Sequence, residues 1–165
     1  MFRLAAFHSR RLLAAAVLAC LAVAAVPALA EPLVSAEWLK GHLDDPSVVV
    51  LDVRSSVDGG GAEAYARAHI PGAVHSDYDK AGWRVTRNGV PLMLPGSAQL
   101  EKLIGETGID EDSQVVIVPA GVSATDFGSA ARIYWTLKVA GHPTVSILDG
   151  GFAAWQASGL PVASG

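Results

Sequence analysis

The sequence has 165 residues, with 12 Lys or Arg, 16 Asp or Glu and one Cys. This length suits one ordinary domain with its own hydrophobic core and is too short for two. The net charge of −4 gives the chain no electrostatic reason to bind nucleic acid or an anionic membrane surface. One cysteine excludes an internal disulfide framework.

The first 30 residues have the pattern of a secretory signal peptide. Three arginines precede an almost unbroken apolar run over residues 12–26, and small residues end the run at Ala30. This pattern predicts cleavage between Ala30 and Glu31, and a mature protein that is periplasmic or secreted.

Two alternatives for this segment are a transmembrane anchor and a lipoprotein signal that ends at Cys20. Pro27 argues against the anchor, and the apolar sequence that continues beyond Cys20 argues against the lipoprotein. Cleavage after Ala30 removes three basic residues, no acidic residue and the only cysteine. The mature chain then has nine basic and 16 acidic residues, a net charge of −7, no thiol and no remaining membrane segment.

The mature part of the sequence begins with two strands separated by a helix. Leu33-Val34 predicts a brief strand, and a helix is expected over residues 35–43. Residues 48–51 are continuously apolar, which is typical of a strand buried on both faces. A short helix over residues 62–68 and a strand near Val74 follow.

Residues 76–95 show no periodicity and predict a long irregular loop. The remaining expected elements are a helix from Ser97 to Gly108, a strand at 115–118, a helix from about Phe127 to Gly141, a strand at 145–148 and a last helix that ends at Gly159. Strands that alternate with helices in this way indicate a three-layer α/β/α domain with a five-stranded parallel sheet. Helical spacing also predicts that Trp135 and Trp155 are core residues.

Three motifs in this order resemble the rhodanese domain of thiosulfate and mercaptopyruvate sulfurtransferases. They are Leu51-Asp-Val-Arg54, Tyr65-Ala-Arg-Ala-His69-Ile-Pro-Gly-Ala73 and Leu148-Asp-Gly-Gly-Phe-Ala-Ala-Trp155. The resemblance covers residues 33–162, and it departs from the family at Ser76, where an apolar residue is usual. It implies a rhodanese-like domain over residues 31–162 and small sulfur anions as substrates, with no cofactor.

More narrowly, Ala130-Ala-Arg132-Ile-Tyr-Trp135 and the segment after Gly159 are similar to the first domain of tandem sulfurtransferases. The resemblance implies an N-terminal, non-catalytic domain whose partner is a cysteine-bearing C-terminal rhodanese domain, with residues 163–165 as the start of the linker. The alternative is a free-standing, inactive rhodanese-like module that binds a partner protein or a small anion.

In open parallel sheets, ligands bind where strands end and helices begin, so the turns after the second and fourth strands are the candidate site. By the resemblance, the nucleophilic cysteine belongs at Val118, Pro119 or Ala120, in the loop that continues with Gly121. None of these residues has a thiol that could carry a persulfide, and Pro119 also lacks a backbone N–H. The sequence therefore predicts a sulfurtransferase domain without catalytic residues of its own.

Hydroxyl and carboxyl groups follow this loop. Ser123, Thr125 and Asp126 are interpreted as caps of the next helix, because no histidine is near them in sequence to act as the base of a hydrolase. His75, Asp77 and Asp79 alternate like metal ligands, but no fourth ligand has a suitable spacing, so no metal site is expected.

Four further residues are candidates for lining the cleft: Asp52, Arg54, His69 and Arg132. Each also has a structural interpretation, which we favour. Asp52 and Arg54 would pair with neighbouring loops, His69 would fix the Pro71-Gly72 turn by hydrogen bonding, and Arg132 would be a partly buried, paired arginine.

Overall fold

The computed structural model describes residues 30–165, so the expected signal peptide lies outside the described residues except for its last residue, Ala30. In chain order the strands are β1 (Leu33–Val34), β2 (Val48–Asp52), β3 (Val74–His75), β4 (Val85–Arg87), β5 (Val90–Met93), β6 (Gln114–Val118) and β7 (Val145–Leu148). The helices are α1 (Ala36–Lys40), α2 (Ala62–Arg67), α3 (Ser97–Glu106), α4 (Ala124–Val139) and α5 (Gly151–Ala157). A 3-10 turn, Ser56–Asp58, precedes α2.

The main sheet has five strands in the order β1-β7-β6-β2-β3, and every neighbouring pair is parallel. The predicted five-stranded parallel sheet is therefore confirmed. The central strands β6 and β7 are almost entirely buried, as expected for continuous apolar runs that are covered on both faces.

Alternate residues of the central strands face two separate cores. On one face, Val115 and Ile117 pack with α3, α4 and the fully buried Trp83. On the other face, Val116 and Val118 pack with α1, α5 and Ile70. The domain thus has the three layers expected from the sequence, and the sheet is packed on both faces.

The long loop expected over residues 76–95 contains an antiparallel hairpin, in which β4 pairs with β5. Its turn is Asn88-Gly89, and both residues have positive φ angles of 53° and 76°. Asn-Gly is the preferred pair for a type I′ hairpin turn, so this dipeptide was a usable sequence signal. The flanking strands are short and exposed, which is why no periodicity revealed them.

The interpretation of Trp135 as a core residue is wrong. Trp155 is completely buried and its indole N–H donates to the Pro161 carbonyl at 2.8 Å, whereas Trp135 is 46% exposed on α4. Helix α4 also begins at Ala124, three residues earlier than expected.

The last residues of the chain are attached to the domain. Ala163 and His69 exchange two backbone hydrogen bonds of 3.0 and 2.9 Å, and the Gly165 N–H donates to the Ala66 carbonyl at 3.0 Å. Residues 163–165, which were expected to begin a linker, therefore lie against α2. Among residues 30–165, no helix has the length and apolar character needed to cross a membrane.

Candidate functional site

The two predicted site turns meet at the carboxyl edge of the sheet. Strands β2 and β6 are neighbours, with Asp52 opposite Val118, and the Val53 N–H donates to the Val118 carbonyl at 3.1 Å. The residues that follow each strand, Arg54 and Ala120, line one cavity of about 180 Å³. The site therefore has the location expected for a ligand in a parallel α/β sheet.

Asp52 and Arg54 form a buried ion pair beside this cavity. The Arg54 guanidinium donates to both Asp52 carboxylate oxygens at 2.7 to 2.9 Å, and its Nη2 also donates to the Ala68 carbonyl at 2.8 Å. Asp52 is 0% exposed and Arg54 is 5% exposed. The Arg54 guanidinium lies 4.0 Å from the centre of the Phe152 ring. The expected pairing with a neighbouring loop is therefore found only for the Arg54 contact with Ala68, and otherwise the two residues pair with each other.

The loop after β6 is tightly connected to the start of α5. The carbonyls of Pro119 and Ala120 accept the N–H groups of Phe152 and Ala153 at 2.8 and 3.0 Å. These carbonyls satisfy N–H groups that the first turn of a helix otherwise leaves free. The loop backbone is therefore held in place by hydrogen bonds of its own.

Two glycines allow this close approach. A Cβ atom added to Gly121 would lie 2.0 Å from the Gly150 carbonyl oxygen, and one added to Gly151 would lie 2.5 Å from the Pro119 carbonyl oxygen. Both glycines also have positive φ angles, 80° and 59°. Only glycine satisfies both requirements at these positions.

Asp126 occupies the N–H groups on the other side of the loop. Its carboxylate accepts from the Val122 N–H at 2.8 Å and from the Ser123 N–H at 3.2 Å, and it is only 1% exposed. The Ser123 hydroxyl in turn accepts from the Asp126 N–H at 3.2 Å, which completes a capping box for α4. The capping interpretation is confirmed for Ser123 and Asp126, and the Asp126 carboxylate occupies two backbone N–H groups of the loop.

None of the four histidines of residues 30–165 is hydrogen-bonded to the Ser123 hydroxyl. Each ring nitrogen with a hydrogen bond donates to a backbone carbonyl, at distances of 2.7 to 3.0 Å, and the four residues are His42, His69, His75 and His142. Ser123 therefore lacks the histidine that a serine hydrolase requires.

His69 is structural, but its partner differs from the expected one. Its Nδ1 donates to the Tyr65 carbonyl at 2.9 Å, and its ring stacks on the Tyr65 ring with 4.0 Å between centroids. The Tyr65 hydroxyl donates to the Ala73 carbonyl at 2.5 Å, beyond the Pro71-Gly72 turn. Burial, together with the nearby Asp52 carboxylate, raises the pKa of the Tyr65 phenol above its ordinary value.

The three side chains that alternate like metal ligands, His75, Asp77 and Asp79, each bond with a different partner. His75 donates to the Arg54 carbonyl, Asp77 accepts from the Asp79 and Lys80 N–H groups, and Asp79 forms an ion pair with Arg84. Within residues 30–165, no group of three or more His, Cys, Asp or Glu side chains is arranged to hold a metal ion.

Arg132 is separate from the other predicted cleft residues. Its Nη2 donates to the Leu92 carbonyl of β5 at 3.2 Å, and its Nε is buried without a hydrogen-bond partner among the described residues. The expectation of a half-buried arginine is confirmed, but its contact is a backbone carbonyl rather than a carboxylate.

Sequence reasoning missed the contribution of α5 and of the loop before α2. Phe152, Gln156 and Gly60 line the cavity with Arg54 and Ala120. A Cβ atom on Gly60 would lie 2.7 Å from the Arg54 Cβ, so this glycine permits the loop to cover the arginine. The Gly-Gly-Phe sequence that follows β7 was the available signal, since it marks another turn between a strand and a helix.

Two other cavities flank the domain. One, of about 260 Å³, lies on the other side of the loop after β6 and is lined by Gly121, Asp126 and Phe127. The other, of about 610 Å³, lies between α3 and the end of α4 and contains none of the predicted site residues. We therefore place the candidate site at the two smaller cavities.

Known proteins are similar to this chain in sequence and in fold. The protein-family model described as the rhodanese-like domain matches residues 35–158 of this chain. The 3-mercaptopyruvate sulfurtransferase of Escherichia coli K12 is 33% identical over 136 residues, which cover 80% of this chain and 46% of that protein. The thiosulfate sulfurtransferase of Rattus norvegicus is 37% identical over 141 residues, with 80% and 45% coverage.

A solved structure is similar as well. The crystal structure of SseA from Escherichia coli, described as a 3-mercaptopyruvate sulfotransferase, superimposes with a TM-score of 0.67 and 31% identity over 81% of this chain and 52% of that one. The chain thus spans about half the length of the curated relatives that it matches. The matched residues include both strands and both turns that build the site, and the chain therefore belongs to the rhodanese-like family of sulfurtransferases.

Proposed function

We propose that this chain is the N-terminal, non-catalytic domain of an exported sulfurtransferase that transfers sulfane sulfur from thiosulfate or 3-mercaptopyruvate. The family and the half-length coverage of the relatives support this proposal. The observation that carries it is the loop after β6, where Val118, Pro119 and Ala120 offer no thiol.

The chemistry explains why the missing thiol is decisive. A thiolate attacks the outer sulfur of thiosulfate, the S–S bond breaks, sulfite leaves, and the enzyme retains a persulfide. A thiol acceptor or cyanide then takes that sulfur and regenerates the thiolate. No hydroxyl or carboxyl group in residues 31–165 replaces the thiolate in this cycle.

The hydrogen bonding of the backbone N–H groups in the loop after β6 supports the same assignment. A catalytic loop binds an anion with free backbone N–H groups. Here Asp126 accepts the N–H groups of Val122 and Ser123, and Pro119 has no N–H at all. In our proposal the domain forms one wall of a cleft, with Asp52, Arg54 and His69 as rigid parts of that wall, and a cysteine-bearing C-terminal domain supplies the nucleophile.

Export is part of the proposal. The arginines, the apolar run and the small residues before Ala30 support removal of a signal peptide and delivery to the periplasm or to the exterior. The released protein would be free of cysteine. Its stability would then depend on the two hydrophobic cores rather than on a disulfide.

The test is a thiosulfate:cyanide sulfurtransferase assay on purified residues 31–165. We expect no thiocyanate above a blank without protein, because no residue can carry the persulfide. Turnover above that blank, or a sulfur adduct of 32 Da found on the protein by mass spectrometry, would contradict the proposal.

The alternative is a free-standing inactive module, which the closed loop also permits. The domain content of the natural polypeptide distinguishes the two functions. A second rhodanese-like domain with a cysteine in the corresponding loop supports the sulfurtransferase. A natural polypeptide with this one domain supports the binding module.

A further inference from the structure

The cavity of about 610 Å³ is a groove between α3 and the end of α4. Its lining includes residues 109–111, which precede β6, and residues 141–143, which precede β7. Both segments lead into parallel strands, so the groove lies at the amino edge of the sheet. The candidate site lies at the carboxyl edge, and a partner in the groove would therefore leave that site open.

The lining of this groove is mainly apolar. It includes Leu100 and Ile104 of α3, Val139 at the end of α4 and Leu94 after β5. Val139 is 53% exposed, and Pro143 is exposed as well. Binding clefts have volumes of roughly 300 to 1,000 Å³, so this groove has room for several apolar side chains of a partner.

The charge of the groove is one-sided. Its lining contains the acidic residues Glu101, Asp110 and Glu111 and no lysine or arginine. Glu101 and Glu111 form no ion pair with any of residues 30–165. The Ser113 hydroxyl donates to the Asp110 carboxylate at 2.7 Å, and this hydrogen bond holds the pKa of Asp110 below its ordinary value. The groove thus presents three carboxylates beside apolar side chains.

The basic residue at the border of the groove does not neutralise these carboxylates. The Lys138 ammonium donates to the Pro143 carbonyl and lies 5.4 Å from the centre of the Tyr134 ring. His142, which lines the groove, donates through Nε2 to the Ser113 carbonyl at 2.8 Å. Charged groups around an interface select a partner of opposite charge. The partner should therefore combine apolar side chains with lysine or arginine.

The shape of the groove favours a helix as the occupant. None of its lining residues belongs to a strand, so a partner cannot add a strand there. Gly105 and Gly141 line it, and a Cβ atom on either would meet no atom within 4 Å, which allows a partner backbone to come close. Helix α3 has ten residues and is about 15 Å long, so a partner helix of about three turns would cover it.

We propose that this groove binds an amphipathic helix of a partner protein, with apolar side chains against Leu100, Ile104 and Val139 and with lysine or arginine beside Glu101 and Glu111. This binding mode, a helix in an apolar groove, is common in peptide recognition. A groove-to-groove contact with a second copy of the chain is disfavoured, because it would bring the carboxylates of both copies together. The inference does not rest on the proposed function, since it uses none of the residues of the candidate site.

The experiment measures the binding of a fluorescein-labelled synthetic helix to the natural polypeptide by fluorescence anisotropy. The peptide consists of leucine and lysine, with the leucines along one side of the helix. A matched peptide has glutamate in place of every lysine. We expect saturable binding of the lysine peptide and at least about tenfold weaker binding of the glutamate peptide, because like charges repel at the groove.

The substitution Gly105→Phe tests the location. The phenylalanine ring would occupy the place of a partner's apolar side chain, so we expect binding of the lysine peptide to weaken at least about tenfold. Ala157→Phe is the control, because Ala157 is exposed on α5, which packs on the other face of the sheet. That variant should bind like the wild type, and the midpoints of thermal unfolding show that both variants are folded.

A pair of double variants tests the charges without any change in packing. Glu101→Gln with Glu111→Gln should weaken binding of the lysine peptide about fivefold, as expected for two exposed ion pairs. Glu37→Gln with Glu63→Gln removes the same net charge from exposed positions on α1 and α2 and should weaken binding less than about twofold.

Several results would overturn the inference. Equal weakening by the two double variants would mean that only the net charge attracts the peptide. Unchanged binding to a folded Gly105→Phe variant would place the peptide elsewhere, and no binding of the lysine peptide to the wild type would remove the site. A dimer of the wild type that Gly105→Phe dissociates would identify a second copy as the occupant. None of these results bears on sulfur transfer, which the thiocyanate assay tests separately.

Discussion

At the scale of single residues, the site is built from side chains that are fully engaged within the domain. The Arg54 guanidinium bonds with Asp52 and Ala68, and Asp126 bonds with the loop after β6. A buried charge that is paired and hydrogen-bonded fixes its surroundings, but it has few donors left for a ligand. These residues therefore shape the wall of the site rather than perform chemistry.

The first prediction concerns the buried ion pair. Replacement of Asp52 by Asn leaves the Arg54 guanidinium buried without its countercharge, so we expect the free energy of unfolding to fall by roughly 3 kcal/mol or more. Urea unfolding of residues 31–165 measures this change. Asp149→Asn is the matched control, because Asp149 is exposed, and its effect should stay within about 0.5 kcal/mol. An equal, small effect of both substitutions would show that the pair does not stabilise the fold.

At the scale of elements, the position of the loop after β6 depends on the start of α5. Backbone carbonyls of the loop bond with the first N–H groups of α5, and the glycines of both segments lie in contact. The site therefore needs strand β7 to be placed beside β6 before the two turns can meet.

The second prediction concerns this contact. Gly151→Ala places a Cβ atom against the Pro119 carbonyl oxygen and also strains a positive φ angle, so we expect a loss of roughly 2 kcal/mol or more. Gly105→Ala in α3 is the control, because a Cβ atom there meets no atom within 4 Å. Alanine favours the helix, so the control should gain about 0.5 to 1 kcal/mol. Chemical denaturation of both variants measures the difference, and a harmless Gly151→Ala would mean that the two turns are not in close contact.

The packing of strands and helices explains which elements could be predicted from the sequence. Continuous apolar runs such as residues 145–148 identified strands, because burial on both faces removes every polar position. The spacing of Trp135 and Trp155 indicated a helix in both cases, but it did not show which side of α4 faces the sheet. That side depends on packing against Leu103 and Trp83, which are distant in sequence.

At the scale of the whole molecule, stability must come from two cores on opposite faces of one sheet. The mature chain expected from the sequence has an excess of acidic residues and no disulfide. Its stability should therefore respond to pH through individual groups whose protonation differs between the folded and unfolded states.

The third prediction follows from Tyr65. Burial and the Asp52 charge raise the pKa of its phenol in the folded state, so the folded protein favours the protonated form. This contribution is complete below the unfolded pKa, about 10, and is lost as the pH rises through the higher folded pKa. The free energy of unfolding should therefore fall as the pH increases above about 10.

Tyr65→Phe should flatten this alkaline decrease, because phenylalanine has no proton to lose. Tyr134→Phe is the matched control, since Tyr134 is also a partly buried tyrosine that packs against a core, and the decrease should remain in that variant. Unfolding measured at several pH values between 8 and 11 on the two variants and the wild type tests the assignment. An unchanged alkaline decrease in Tyr65→Phe would contradict it.

The amino-acid sequence alone determined the alternation of strands and helices, the parallel sheet and the absence of a thiol after the fourth strand of that sheet, because these depend on local patterns and residue identities. Only the tertiary structure decided which groups are available at the site. In the structure, Arg54 is paired with Asp52, and Asp126 accepts N–H groups of the loop after β6. Arg132 lies apart from these residues and contacts Leu92 of β5. The physical reason is that burial, the contact of Arg132 with Leu92 and the close approach of Gly121 to Gly150 depend on residues far apart in the chain, and local sequence carries no signal for those contacts.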